Sequence, residues 1–322
     1  MSYGGEETYN DSHRAFLQAF MARSTMTLDE AKPVLAAISS VHENREILPA
    51  DITSSDLTTW ISTINSAISP LDLEIRSLTH QTSQARVFAL VNTTSDALTQ
   101  LATTYTADEI AFVKRVLDAM FETNNTARSE AMVVSGMQAV QLAKVSGDNG
   151  NGRRRESRAL AREDGTGSTG GAAQPLSMRE AESVMERLVQ EGWLEMSVGR
   201  NYMLSPRALM ELRTWLVDTY NDEDDEAGNE RIKFCLACKE IITVGQRCPR
   251  RQCPARLHDT CAPRFFRTQQ SQACPTCRTE WTGENFVGER AFAGSSGNRG
   301  ARRSGGGGGG GGDSSSQQQM DG

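Results

Sequence analysis

The chain has 322 residues, of which 38% are hydrophobic, and a formal net charge of −7. That length fits two domains or three small ones, and the acidic balance argues against a protein that coats nucleic acid. No apolar run is long enough to cross a bilayer, and residues 1–10 are polar with no apolar stretch behind them, so neither a membrane partner nor a secretory leader is expected, and the cytosol or nucleus, where thiols stay reduced, is the expected location.

After a disordered start (1–10), Asp11 or Ser12 is placed to cap a first helix carrying Phe16, Phe20 and Met21 on one face. Thr27 and Glu30 form a capping box for a second helix, with Leu35 and Ile38 inward and Pro33 early in its length. Leu57, Trp60, Ile61, Ile64 and Ile68 follow the helical period through a third helix that Pro70 stops. The period then becomes two. Leu71, Leu73 and Ile75 alternate with Asp72, Glu74 and Arg76, and a turn at 81–85 leads to a second strand at 86–91. Three helices followed by a hairpin is the order of a winged helix, assigned here to residues 11–104.

The pattern recurs over residues 105–220. Thr106 and Glu109 open a helix presenting Ile110, Val113, Leu117 and Met120. Residues 131–145 hold a short strand-like run and a helix. Residues 146–175, rich in Gly, Ser, Arg and Asp, read as a disordered insert. Its Arg153, Arg154 and Arg155 are read as solvated loop charge ahead of a phosphorylation context for Ser157 or a nuclear signal. Ser177 and Glu180 then cap a helix with Ala181, Met185 and Leu188 inward. Residues 193–197 and 201–204 pair across 198–200. A final helix, 206–219, carries Leu209, Leu212, Trp215 and Leu216, with Pro206 suited to its first turn. These apolar positions are core by default.

Winged helices that read DNA present Arg or Lys from the third helix. In the first unit that helix has Asp56 and no base, and in the second, over 177–191, it has four Glu against two Arg. Such faces repel a duplex, so protein docking is expected in place of direct sequence-specific DNA binding.

The linker 221–230 follows, and residues 222–230 hold six acids and no base. Beyond it, all seven cysteines fall within 43 residues, in the order Cys235-x2-Cys238-x9-Cys248-x4-Cys253-x4-His258-x2-Cys261-x12-Cys274-x2-Cys277. A disulfide framework would strand one thiol of an odd set in a reducing compartment. Seven Cys and His258 instead supply eight ligands in four close pairs, the complement of two tetrahedral zinc ions. Four protein ligands per ion leave no open position, so the two Zn2+ are expected to be structural. Residues 231–281 carry ten Lys/Arg against three Asp/Glu, which is read first as partial neutralisation of metal-bound thiolates and only second as a nucleic-acid contact. The zinc module is assigned to 231–287, and a disordered Gly-rich tail to 288–322.

Two winged helices ahead of a two-zinc module, together with the segments YNDSHRAFLQAFMARSTMTLDEA, LEIRSLTHQTSQARVFALVN, YTADEIAFVKRVLDAM and EGWLEMSVGRNYMLSPRALMELRTWL, resemble the non-SMC element one family. That family is the RING-like subunit of the Smc five/six genome-maintenance complex. The likeness spans about residues 9–281 apart from the insert. It implies a mainly α chain with small β-hairpins, in which tandem winged-helix domains precede a cross-braced RING-like module. It also implies a nuclear role in DNA repair and recombination, a MAGE-like partner bound through the winged helices, a kleisin partner, and RING-type ubiquitin ligase activity enhanced by the MAGE-like subunit.

As RING and PHD fingers interleave their ligand pairs, the resemblance assigns Cys235, Cys238, His258 and Cys261 to a first zinc and Cys248, Cys253, Cys274 and Cys277 to a second. The surface that would dock a ubiquitin-conjugating enzyme falls on Leu236, Phe265, Phe266, Pro275 and Arg278, with packing around the metals an equal reading for the Phe pair. No cysteine is left for a ubiquitin thioester, so the ligase would act by positioning. The order of four Cys, one His and three Cys is that of a PHD finger. Yet Gln272 stands where such fingers usually have Trp, and Cys-Pro-Thr-Cys followed by Arg is a RING-like ending. A non-enzymatic scaffold is the alternative function, and a histone reader ranks below it.

Overall fold

The computed structural model describes residues 8–94, 104–144, 174–221 and 230–291. The expected acidic segment 222–229, most of the insert and the tail beyond 291 lie outside the described residues.

The first winged helix has α1 (Asp11–Arg23), β1 (Thr25–Thr27), α2 (Leu28–Glu43), α3 (Ser54–Ile68), β2 (Leu73–Thr79) and β3 (Arg86–Asn92). Asn10, and not Asp11 or Ser12, is the cap of α1, its Oδ1 accepting from the Ser12 and His13 amides. Phe16 and Phe20 are fully buried, whereas Met21 is 69% exposed and belongs to the outer face. The Thr27–Glu30 box forms as expected. Its helix runs through Pro33, losing one backbone bond but keeping Ala31, Leu35 and Ala36 in the core. Thr53 and Asp56 make a further capping box at α3. Leu71 is exposed, because a short 3-10 turn (Ser69–Leu71) delays the strand to Leu73. The expected hairpin gains a third strand: β1 pairs antiparallel with β3, giving the order β1-β3-β2.

The second winged helix repeats this topology with α4 (Ala107–Asp118), β4 (Val134–Ser135), α5 (Gly136–Leu142), α6 (Met178–Gln190), β5 (Leu194–Met196) and β6 (Asn201–Leu204), its sheet running β4-β6-β5. A π-turn, Ala119–Thr123, extends α4 and buries Met120 and Phe121. The final helix is divided at Leu212 (ψ 0°) into α7 (Pro206–Glu211) and α8 (Arg213–Tyr220). The break aims Arg213 at the Glu240 carboxylate, 2.5 Å away, and at the Lys239 carbonyl. The ends of the insert meet: the Leu176 amide donates to the Ala143 carbonyl at 3.1 Å, and the Gln174 amide to Asp108 at 2.7 Å.

The C-terminal segment folds around a small sheet of β7 (Gly245–Arg247), β8 (Arg256–Leu257) and β9 (Phe286–Val287), against which α9 (Ala262–Gln269) is set. Its inner side is built into its neighbours. Ile232, Ile241 and Val287 join the core of the second winged helix, which also takes Leu78, Ala89 and Val91 from the first. The first four residues of the expected tail are ordered here. Gly288, at φ +89°, donates its amide to the Glu130 carbonyl, and a Cβ there would meet the Thr243 carbonyl oxygen at 2.5 Å. Glu289 bonds Ser197 and Asn201 of the second wing.

Candidate metal centre

The outer half of the C-terminal segment has too little apolar matter for an ordinary core. Its buried cluster is Cys235, Cys248, Cys253, Ala255, Leu257, Ala262, Phe266, Cys274 and Trp281, so four of its members are thiols. The cysteine pairs sit on two equivalent knuckles. In the first, the Cys235 amide donates to Glu240 and the Lys239 amide to Cys235, with Lys239 at φ +63°. In the second, Cys274 donates to Thr279 and Arg278 to Cys274, with Arg278 at φ +60°. The left-handed residue after each pair turns the backbone so that both Sγ atoms aim at one point. Cys253 is set by its amide bond to Arg250. His258 directly follows β8, and Cys261 lies at the start of α9.

These elements gather the eight donors into two groups of four, Cys235, Cys238, His258 and Cys261, and Cys248, Cys253, Cys274 and Cys277, with the donor atoms of each group within 4.8 Å of one another. The groups alternate along the chain, which is the interleaved pairing the resemblance implies. Cys248 and Cys277 Sγ are 3.4 Å apart and Cys253 and Cys274 Sγ 3.7 Å apart, while His258 Nδ1 lies 3.3 Å from Cys238 Sγ and 3.9 Å from Cys261 Sγ. Tetrahedral sulfur ligands at about 2.3 Å from a metal stand roughly 3.8 Å apart, so the spacing suits a four-coordinate ion. The electrostatics agree. The hydrogen bond with Cys238 draws the Cys235 thiol down to about 3 and pushes Cys238 up. Burial pushes up Cys248, Cys253 and Cys261. The Thr279 hydroxyl and amide draw Cys277 down to about 6. Thiols this close cannot all ionise against one another, and a cation at their centre removes the conflict.

The second layer around the donors was not foreseen. The Ile241 carbonyl accepts from His258 Nε2 at 3.3 Å and from Gln81 Nε2 at 3.0 Å. Arg256, completely buried, donates from Nη1 to the Cys253 and Ala255 carbonyls at 2.7 Å, and from Nε to Glu130 at 2.6 Å. Lys233 reaches the same carboxylate at 2.8 Å. Burial alone would push Glu130 up, but Arg256 and Lys233 outweigh it and hold the carboxyl at about 2. Burial draws the Lys233 and Arg247 pKa values down. Gln81 and Glu130 are separated from their contacts by more than a hundred residues, and no local pattern marks either one.

Of the expected docking residues, Leu236 and Phe265 are half-buried, and Pro275 and Arg278 are exposed. Phe266 is a correction. It is 6% exposed and lies against Trp281 with ring centroids 5.4 Å apart, so it is core and not surface. Trp281, after the last ligand, donates to Gln246 and is committed to that packing. Gln272 is exposed.

The wing turn of the first winged helix is also committed. His80 Nε2 bonds Glu195 of β5 at 2.9 Å while Gln81 is buried against residues 241–244. The third helices carry the side chains read from sequence, with no base on α3 and Glu180, Glu182 and Glu186 on α6.

Residues 13–212 match the family described as Nse1 non-SMC component of SMC5-6 complex, and residues 235–277 match a RING-like domain. The chain is 24% identical over 274 residues to the Homo sapiens protein named non-structural maintenance of chromosomes element 1 homolog, covering 85% of each chain. It is 23% identical to the homologs of that name from Bos taurus and Xenopus laevis, again covering 85% of this chain and 85% and 84% of theirs. A solved chain from a structure of an Nse1-Nse3-Nse4 complex aligns with a TM-score of 0.63 at 20% identity, covering 86% of this chain and 98% of that one, a likeness of fold.

Proposed function

The chain belongs to the Nse1 family of non-SMC components of the SMC5-6 complex, and from that premise we propose that it is a RING-type ubiquitin ligase subunit of such a complex, acting in the nucleus in DNA repair and recombination. The observation that carries this reading is the pair of interleaved four-donor groups beside a half-buried Leu236 and an exposed Pro275 and Arg278. Sulfur with one imidazole in tetrahedral spacing selects zinc over harder ions. Cys235, Cys238, His258 and Cys261 would hold one Zn2+, and Cys248, Cys253, Cys274 and Cys277 the other. Both sites are closed by protein ligands, so the metals supply rigidity and not reactivity.

On this rigid frame the first knuckle presents Leu236 and the last presents Pro275 and Arg278, with Phe265 between them on α9. A ubiquitin-conjugating enzyme would dock there, and Arg278 would face its ubiquitin. The chain itself makes no bond to ubiquitin. Its contribution is to hold the charged thioester in a reactive geometry. The winged helices would bind the MAGE-like subunit, with the kleisin completing a trimer, a reading supported by the likeness to a chain of an Nse1-Nse3-Nse4 complex. Two features favour protein docking over direct sequence-specific DNA reading: third helices in which acids outnumber bases, and a first wing already occupied by intramolecular contacts.

The test is a reconstituted reaction of the chain with its MAGE-like and kleisin subunits, activating and conjugating enzymes, and ubiquitin. Chain formation that is lost in Leu236→Ala supports the reading. A folded, zinc-loaded trimer that forms no chains with any conjugating enzyme favours the second reading, a zinc scaffold for assembly. The deep burial of Ile232, Ile241 and Val287 in the winged-helix core is the observation on that side.

A further inference from the structure

The primary amide of Gln81 spans residues 241–244 as a neighbouring strand would. Its Nε2 donates to the Ile241 carbonyl at 3.0 Å, and its Oε1 accepts from the Thr243 amide at 3.0 Å and the Val244 amide at 2.8 Å. Gln81 is 7% exposed, so these bonds are made out of water, and each has a high cost if broken. The Ile241 carbonyl has a second donor, His258 Nε2 at 3.3 Å. A carbonyl accepts only from a protonated nitrogen. The bond therefore fixes the imidazole tautomer with the proton on Nε2 and the lone pair on Nδ1, the atom that faces Cys238 and Cys261. Outer partners of this kind orient a ligating imidazole and raise its basicity.

We propose that Gln81 is a positioning residue for the first metal site: the wing turn of the first winged helix holds the Ile241 carbonyl, and through it the His258 ligand. Retention of that metal is thereby coupled to the seating of the first winged helix. The second site is supported from elsewhere, from Glu130 through Arg256 to the Cys253 carbonyl. The hydrogen bonds of Gln81 reach only the segment behind the first site, so loss of Gln81 acts on that site. The inference rests on the reading of the two donor groups as zinc sites.

The experiment uses the zinc-loaded full chain and reads two quantities: the rate of release of each zinc equivalent to a chromophoric chelator, and the hydrogen bond of His258 Nε2–H, from the shift and water-exchange rate of that proton in 15N–1H spectra of the imidazoles. Gln81→Leu removes both halves of the amide. It is expected to release one of the two equivalents about tenfold faster, within the range seen for lost outer-shell partners. The other equivalent should leave at the wild-type rate, and the His258 Nε2–H proton should move upfield and exchange faster with water as its bond to the Ile241 carbonyl loosens. Gln81→Glu keeps the acceptor for Thr243 and Val244 and replaces the donor to Ile241 with a carboxylate oxygen that repels its carbonyl. It should show the same selective release, and it provides the test should Gln81→Leu fail to fold. Release of both equivalents together, release of neither faster than wild type, or faster release with the His258 Nε2–H signal unchanged overturns the proposal. A wild-type chain that binds fewer than two equivalents overturns the zinc reading instead.

Discussion

The Glu130 carboxylate and the Arg256 guanidinium meet between the second winged helix and the metal-binding segment, with side chains only 3% and 1% exposed. Lys233 at 2.8 Å and Arg247 at 3.7 Å approach the same carboxylate. Arg256 also holds the Cys253 carbonyl, so one buried acid secures both the boundary and a ligand-bearing loop. Removing it would leave a buried cation unpaired. Glu130→Ala is expected to cost about 3–5 kcal/mol, the usual penalty for breaking a buried pair. Urea unfolding of the zinc-loaded protein measures it, and a wild-type midpoint would contradict the role given to the pair.

The same carboxylate sets a pH dependence. Its pKa falls from 4.5 to about 2 on folding, because the Arg256 and Lys233 bonds outweigh the burial that would raise it. A depressed folded value means stability fully present above about 4.5 and lost as pH falls toward 2. The difference in unfolding free energy between wild type and Glu130→Gln should be constant from neutral pH to about 5 and shrink below that. Taking the difference cancels thiolate protonation, which is common to both proteins. A difference that already shrinks near neutrality would place the group outside the buried network.

Phe265 and Phe266 are adjacent in sequence and differ in burial, the first half-buried and the second in the core. Phe266→Ala removes a ring packed on Trp281 and should cost about 3–5 kcal/mol, read as a lowered melting temperature of the metal-loaded chain. Leu236→Ala should leave melting nearly unchanged and remove ubiquitin-chain formation in the reconstituted trimer. The reverse pattern would mean that the docking face is misplaced.

Cys274 joins the second donor group from the last knuckle. Cys274→Ala should lose at least one zinc and unfold the metal-binding segment, since structural zinc sites contribute on the order of 10–16 kcal/mol of apparent binding energy. Metal analysis with amide hydrogen exchange over residues 231–287 checks this. Retention of two zincs would refute the ligand set.

What the sequence disclosed was local or periodic. The boxes at Thr27 and Glu30, Thr106 and Glu109, and Ser177 and Glu180 each close within four residues, so spacing alone reveals them. The eight donors were legible because each knuckle places its pair within a few residues. Strand β1 was missed because three residues carry no period and acquire meaning only from β3, some sixty positions on. The division at Leu212 was missed because nothing in the local pattern breaks there, and the contact that accompanies it, Arg213 to Glu240, lies in a different part of the fold. Gln81 and Glu130 escaped for the same reason. Met21 and Leu71 were misplaced because an apolar residue can complete a helical or alternating pattern and still face water.

The backbone bond between Leu176 and Ala143 makes the second winged helix indifferent to the length of chain between them. Exit and re-entry are neighbours, so extra residues cost only loop-closure entropy, about 0.6 kcal/mol per doubling. The join is therefore a place where the chain can be lengthened at small cost. For the experimenter it is a ready splice point, where a fluorescent protein or crosslinkable tag can be carried with both metals and both wings left in place.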